Sequence, residues 1–266
     1  MINIEILGKF YDNHSLSLIN RQLAIHLNKC NDFDVFLTPL DSANPNCSVD
    51  LNTLKLIKKL SNKEEKVIDI QLRHSYPPVW NWPTDKNTKV VYIQPWQYRF
   101  ETFADMLCVP SNYERDVFVT GGMNPDKVIT VPNGYDDSIF NHESVDPYTD
   151  KIDPTRYNFV FVGNGQWRKG IDILLNAWKD AIKRYDKCTL IIKDNPQIYG
   201  VNNLLNEIIK LQYKSQCGEV LYIDDQLSDL EMASIYKNSK FLIGKLTQPI
   251  EMAIHDFAVE LLRGLK

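Results

Sequence analysis

The sequence lacks the features that mark several classes of protein. Its five cysteines are scattered, and no two have the CxxC spacing of a zinc site or a redox motif. No apolar run approaches the ~20 residues of a membrane-spanning helix. Basic and acidic residues are interspersed along the chain, and no basic stripe is interleaved with aromatic residues. The sequence therefore predicts neither a disulfide framework, nor a membrane span, nor nucleic-acid binding.

The composition is typical of a soluble globular protein. Hydrophobic residues make up 44% and charged residues 24% of the 266 positions, which is enough for one large core or two modest ones. Met1–Gly8 carries an acid inside its apolar run and has no cationic leader, so it predicts a strand and not a signal peptide. The odd number of scattered cysteines predicts reduced thiols and a cytoplasmic location.

The most informative segment begins with Phe159–Val162. This run is short, aromatic and β-branched, as a buried parallel strand should be. Gly163 and Gly165 follow, and residues without a Cβ let the backbone turn tightly and approach a ligand. A helical apolar pattern then starts at Ile171. The segment predicts a strand, a loop of a size that suits a phosphate, and a helix.

Two cations, Arg168 and Lys169, directly precede that helix. The positive N-terminal end of a helix favours an anion beside them. The alternative is that the glycines serve only the turn and the cations form a solvated corner. The loop has neither the Gly-Lys-Ser/Thr of a P-loop nor the third glycine of a dinucleotide fingerprint, which disfavours a nucleotide monophosphate kinase or a dehydrogenase.

Strands alternate with helices along the chain, which predicts two α/β halves with parallel sheets. The stretch from about residue 141 to 156 is polar and twice interrupted by proline, so it predicts a linker between a first domain, 1–145, and a second, 146–266. Ligands of open α/β sheets bind at the carboxyl ends of the strands, here at a cleft between the two domains. The predicted strands are Ile2–Leu7, Asp34–Leu37, Lys66–Leu72, Val90–Gln94, Met106–Val109, Val128–Val131, Asn158–Val162, Thr189–Lys193, Val220–Ile223 and Phe241–Ile243. The predicted helices are about His14–Leu27, one capped by Ser111, Ile171–Tyr185, Asn202–Lys214 and Ser228–Lys237.

Two local motifs have structural interpretations. Ser228 and Glu231 have the spacing of a helix capping box, so the acids around them, including Asp224 and Asp225, are not predicted to bind a metal. Pro132–Gly134 predicts a turn, because its asparagine and glycine accept positive φ.

An ordered set of sequence motifs resembles those of the retaining glycosyltransferases of family 4, which have the two-domain GT-B architecture. In the second half these motifs are Val131–Asp136, Phe161–Asp172 and Asp224–Tyr236. The first half adds motifs that resemble one bacterial branch of that family: Asn13–Arg21, Leu72–Pro78, Ile93–Trp96 and Val109–Asp116. The similarity covers about residues 1–243, and the ordered set is far more specific than any single motif.

The resemblance implies two Rossmann-like domains and a hexosyltransferase type of enzyme. It implies a sugar moved, with retention, from a nucleotide diphosphate sugar to an acceptor, without an essential metal or other cofactor. The first domain would take the acceptor side and the second the nucleotide sugar. Whether the acceptor is a glycan, a lipid or a small molecule stays open, and so does peripheral membrane contact.

In the second domain the resemblance assigns Lys169 to the donor diphosphate. Gly163 belongs to the same loop, and Arg168 is the candidate to replace an arginine that the family carries earlier in the loop, where this chain reads Gly163-Asn164. Lys193 closes a strand and is expected to touch the nucleotide.

In the first domain the resemblance points to Gly8 and His74. Gly8 matches a glycine loop that approaches the phosphate of the transferred sugar, and the alternative is a simple turn residue. His74 matches a cleft-facing histidine near the sugar and is the catalytic candidate, against the alternative of a structural histidine. Arg73 can pair with a phosphate or a carboxylate, and His14 is a weaker candidate at the same edge.

The sequence departs from the family after Ile243. The family continues with a Gly-rich loop and a Glu-x7-Glu helix, whereas here Glu251 and Glu260 are nine apart and lie on an unrelated segment. We therefore expect the second domain to be incomplete. The alternative function is a truncated, non-catalytic relative that at most binds a nucleotide or a protein partner.

Overall fold

A computed structural model of the chain describes residues 1–42, 49–64, 66–95, 104–141, 151–166, 169–196, 203–214 and 216–244. The chain divides into two compact units, Met1–Gly134 and Tyr135–Lys266. The domain boundary predicted at residue 145 and the acids at 251 and 260 lie outside the described residues. Within the described ranges, no helix is both long enough and apolar enough to cross a membrane.

The first unit is built on a six-stranded parallel sheet in the order β2-β1-β3-β4-β5-β6. Its strands are β1 Ile2–Gly8, β2 Phe33–Pro39, β3 Ile70–His74, β4 Lys89–Ile93, β5 Met106–Val109 and β6 Val128–Thr130. Its helices are α1 Ser15–Lys29, α2 Leu51–Ser61 and α3 Asn112–Thr120, with a 3₁₀ turn at Pro125–Lys127.

The strand order reverses its direction between β1 and β3. From β1 the chain first adds β2 on one side and then β3 on the other. Such a reversal is the place where open α/β sheets leave a crevice at the carboxyl ends of their strands. Gly8 and His74 are the last residues of these two strands and lie opposite each other in the register. Both predicted site residues of this unit therefore lie at its topological switch point.

The second unit has a four-stranded parallel sheet in the order β10-β7-β8-β9 among the described residues. The strands are β7 Tyr157–Val162, β8 Cys188–Lys193, β9 Glu219–Ile223 and β10 Phe241–Ile243. The helices are α4 Ile171–Ala181, α5 Leu204–Lys214 and α6 Asp229–Lys237. The predicted α/β class with parallel sheets is confirmed.

Both faces of this second sheet are covered, and the alternation of side chains along β7 shows how. Phe159 packs with Trp178 of α4 and Ile208 of α5 in one core cluster. Val160 points the other way and packs with Ile235 of α6 in a second cluster. Burial on two faces is the reason why β7 reads as a continuous apolar run.

Three details differ from the sequence predictions or bear on them. Helix α2 was not predicted, although Asp50 caps it by accepting from the N–H groups of Asn52 and Thr53. Pro132–Gly134 does not form the predicted turn, and neither its asparagine nor its glycine has positive φ; among the described residues positive φ occurs at Gln94, Gly122 and Gly170. The caps predicted at Ser111 and Ser228 are confirmed.

Gly218 offers a test of the packing around Trp178. Its carbonyl accepts from the Trp178 ring N–H at 3.1 Å, and a Cβ there would lie 2.4 Å from Ile182 Cγ2. We expect Gly218→Ala to lower the free energy of unfolding by about 1–3 kcal/mol through overpacking. Gly244→Ala in the same unit, where a Cβ meets nothing within 4 Å, is the control. Equal urea midpoints for the two variants would contradict this account.

Candidate functional site

The first candidate site lies at the carboxyl ends of β1 and β3. A Cβ on Gly8 would lie 2.4 Å from Asn20 Nδ2 and 2.5 Å from the His74 carbonyl oxygen. The space above Gly8 is thus filled by its own unit. Glycine is required here because the Asn20 amide packs directly on the strand, which supplies a structural reason for this residue that the sequence did not reveal.

Asn20, on helix α1, is the residue that sequence reasoning left unassigned. Its Nδ2 donates to the carbonyls of Lys9 at 2.9 Å and His74 at 3.0 Å. Its Oδ1 lies 2.9 Å from Nδ1 of His74. The side chain is fully buried, so one amide joins α1 to the ends of both strands.

His74 is 1% exposed, and its Nε2 has no hydrogen-bond partner within the part of the chain that the structure describes. Burial lowers the pKa of His74 from 6.5 to about 4, and His14 contributes in the same direction. His14 itself caps α1 by accepting from the N–H of Leu16 through its ring. The structure therefore brings His74, His14 and Gly8 together at one edge and keeps His74 neutral near pH 7.

Arg73 has a structural role. It is 2% exposed, and its guanidinium donates to Gln71 Oε1, the Val79 carbonyl and the Tyr92 hydroxyl at 2.6, 2.9 and 3.2 Å. These described partners are all neutral groups. Arg73 anchors the loop that follows His74.

The second candidate site lies where β7 ends and α4 begins. The Gly163 N–H donates to the Lys193 carbonyl at 3.0 Å, and a Cβ on Gly163 would lie 3.9 Å from Lys169 Cγ. The structure thus brings together Gly163, Lys169 and Lys193, the predicted donor residues of the second unit that it describes, while Arg168 lies outside the described residues. Gly170 follows with φ 72° and gives α4 no side-chain cap.

Lys193 belongs to a buried polar group at the end of β8. It is 7% exposed, and its Nζ donates to the Asp194 carbonyl. Burial lowers the pKa of Lys193, and the carboxylates of Asp194, Asp224 and Asp225 oppose that shift. Tyr222 donates its hydroxyl to Asp194 Oδ2 at 2.9 Å, and burial together with this bond raises its pKa.

Asn164 was not predicted as a site residue. It is 3% exposed, yet both polar atoms of its side chain are buried without a partner among the described residues. Buried amides almost always find hydrogen bonds, so an exception next to a candidate ligand loop is informative. The signal in the sequence was Gly163-Asn164 at the place where the glycosyltransferases that the chain resembles carry an arginine.

Glu231, one of the acids that follow β9, belongs to a helix capping box. The Ser228 hydroxyl accepts from the Glu231 N–H at 3.3 Å, and the Glu231 carboxylate accepts from the Ser228 N–H at 2.7 Å. Among the residues that the structure covers, no group of three His, Cys, Asp or Glu side chains is arranged to hold a metal ion.

Comparisons with known proteins place the fold. No family model matches the chain. One component of the phosphatidylinositol N-acetylglucosaminyltransferase of Arabidopsis thaliana is 25% identical over 96 residues, which are 36% of this chain and 20% of the relative. The matched part thus spans about a fifth of that protein.

Solved structures align over nearly the whole chain. Anabaena HepE in complex with UDP-glucose has a TM-score of 0.59 at 11% identity, over 96% of this chain and 79% of its own. A glycosyltransferase from Rickettsia africae has a TM-score of 0.61 at 10% identity, over 97% and 77%. These structural similarities show which fold the chain has. The prediction of two Rossmann-like domains of the GT-B type is confirmed.

The buried neutral His74 predicts a pH dependence of stability. Above pH 6.5 the folded and unfolded chains are both neutral at this residue. As the pH falls towards 4 the unfolded chain takes up a proton that the folded chain refuses, so stability is lost, up to about 3 kcal/mol. We expect His74→Asn, which stays neutral, to destabilise less at low than at neutral pH. Denaturant unfolding at several pH values measures this difference.

The control for this experiment is His26→Asn, at an exposed position on α1. It removes an imidazole without removing a buried ring. A His74→Asn curve that runs parallel to that of the unsubstituted chain across the pH range would contradict the assigned neutral state.

Proposed function

We propose that this chain is a glycosyltransferase that uses a nucleotide diphosphate sugar as donor and is related to the retaining enzymes of family 4. The observation that carries the proposal is the N-terminus of α4, which has no side-chain cap and is directly preceded by Lys169 and Gly170. Helices α1, α2, α3 and α6 each have a side-chain cap. Backbone N–H groups with a positive end and an adjacent ammonium suit a diphosphate.

The fold supports this proposal, because HepE of the same fold is solved with UDP-glucose. In the reaction the hydroxyl of the acceptor forms a bond to C1 of the sugar, and the bond from C1 to the diphosphate oxygen breaks. The acceptor proton is released, and the nucleoside diphosphate leaves. Lys169 and the helix end would stabilise the negative charge that grows on the leaving diphosphate, so the proposal requires no metal ion.

The remaining parts of the proposal follow from the same fold. His74 would line the sugar site from the first unit, and Lys193 and Gly163 would line the nucleotide side. The acceptor would be a glycan, a lipid or a small molecule. A cytoplasmic location, where nucleotide sugars are made, accords with the absence of disulfides among the four described cysteines, Cys30, Cys108, Cys188 and Cys217.

A non-catalytic nucleotide-binding relative is the second candidate. The observation that favours it is the lack of the Glu-x7-Glu pattern after Ile243. The two functions differ in turnover, since a chain with phosphate contacts but without the sugar-facing carboxylates would bind and not transfer. Release of UDP from UDP-glucose, with and without candidate acceptors, separates them.

Binding of UDP and UDP-glucose, measured by calorimetry, tests the phosphate site. We expect Lys169→Ala to weaken the binding of both by about 10- to 100-fold, the usual loss for a charge-assisted hydrogen bond. The matched control is Lys179→Ala in the last turn of the same helix, which removes one positive charge far from the N-terminus. Unchanged affinity in Lys169→Ala, or an equal loss in both variants, would remove Lys169 from the site.

A further inference from the structure

The hydrogen bonds of Asn20 determine which way its amide group faces. Nδ2 lies within 3.0 Å of two carbonyl oxygens, those of Lys9 and His74. Carbonyl oxygens only accept, so the atom facing them must be the NH2 group. The flipped orientation would place three oxygens together in a buried space. The amide oxygen of Asn20 therefore faces His74.

This orientation also determines the proton on the His74 ring. Oδ1 of Asn20 is an acceptor and lies 2.9 Å from Nδ1 of His74, so Nδ1 carries hydrogen. The ring is buried and neutral, which leaves Nε2 as a bare lone pair. The arrangement requires glycine at position 8, since a Cβ there would lie 2.4 Å from Asn20 Nδ2 and would clash with the amide.

The chemistry of Nε2 limits what can bind it. A bare lone pair accepts a hydrogen bond, so a phosphate dianion or a carboxylate, which has no proton to donate, does not suit it. An ammonium would lose its hydration at a ring that is only 1% exposed. A compact, neutral O–H group has neither disadvantage.

We propose that Asn20 is a positioning residue: it holds His74 as the Nδ1–H tautomer and so reserves Nε2 to accept a hydrogen bond from a sugar hydroxyl. The sugar half of this inference rests on the proposed function. The tautomer half does not, because it follows from contacts within the first unit. Asn20 would thus act on the ligand through His74 without touching it.

Long-range ¹H–¹⁵N correlation spectra of the ¹⁵N-labelled full chain test the tautomer. His74→Asn identifies the His74 signals among the five histidines. We expect Nδ1 protonated and Nε2 unprotonated from about pH 6 to pH 8. An Nε2–H form, or fast exchange between both tautomers, would overturn the proposal whether or not the chain transfers a sugar.

Substitutions at Asn20 separate positioning from a merely structural role. Asn20→Leu removes the acceptor at similar size, and we expect a mixture of His74 tautomers. Asn20→Asp retains an acceptor for Nδ1 but also places an oxygen against the carbonyls of Lys9 and His74, so its folding is checked first by denaturant unfolding. In the folded variant we expect Nδ1–H to persist while the pKa of His74 rises. Asn28→Asp, at an exposed position of α1, is the control and should change neither signal. A wild-type tautomer in Asn20→Leu would overturn the role of Asn20.

Binding of UDP and of UDP-glucose then tests the proposed hydrogen bond from a sugar hydroxyl to Nε2. At saturation we expect the Nε2 resonance to move with UDP-glucose and to stay unchanged with UDP. In Asn20→Leu we expect kcat for UDP-glucose to fall about 10-fold or more while UDP affinity is unchanged. An Nε2 resonance that does not move when UDP-glucose binds would overturn the contact between Nε2 and the sugar. Failure of UDP-glucose to bind overturns the proposed function, and the tautomer spectra still decide on Asn20.

Discussion

The side-chain amide of Asn20 joins three parts of the first unit at the point where its sheet reverses direction. It holds helix α1 against the chain after β1 and against the end of β3, through hydrogen bonds from Nδ2 to the carbonyls of Lys9 and His74. Burying an amide is costly unless its donors and acceptor are satisfied, and here both donor bonds and the acceptor bond are made. Asn20 thus holds together the ends of β1 and β3, where Gly8 and His74 lie opposite each other in the register.

At the carboxyl edge of the second sheet, in contrast, some buried polar atoms have no hydrogen-bond partner among the described residues. Asn164 has two buried polar atoms, and Asn195 one, without partners among the described residues. Local rules of polar satisfaction are broken mainly at functional sites. At the first edge one buried polar atom, Nε2 of His74, lacks a partner among the described residues, whereas the second edge has three such atoms and an uncapped helix end. This contrast supports the proposed position of the donor phosphates in the second unit.

The sequence predicted the strands well where burial on both faces makes them continuous apolar runs, as in Phe159–Val162. Helix α2 was missed although its sequence carries the signal: Leu56, Ile57 and Leu60, which pack in one core cluster, have helical spacing, and Asp50 precedes them as a cap. Gly8 and His74 could be placed at strand ends from the order of elements alone. The role of Asn20 could not be assigned, because the sequence does not show which groups its side chain contacts once α1 packs on the sheet.

Charge balance distinguishes the two lysines that the sequence assigned to the nucleotide. Lys193 is buried beside three carboxylates, those of Asp194, Asp224 and Asp225, and its ammonium donates to the carbonyl of Asp194. Most of its positive charge is therefore compensated within the protein. Lys169 lies at the N-terminus of α4, where the helix adds positive potential. Lys193 thus serves to keep three acids together next to the loop, and the proposed attraction of this edge for a diphosphate depends chiefly on the positive end of α4.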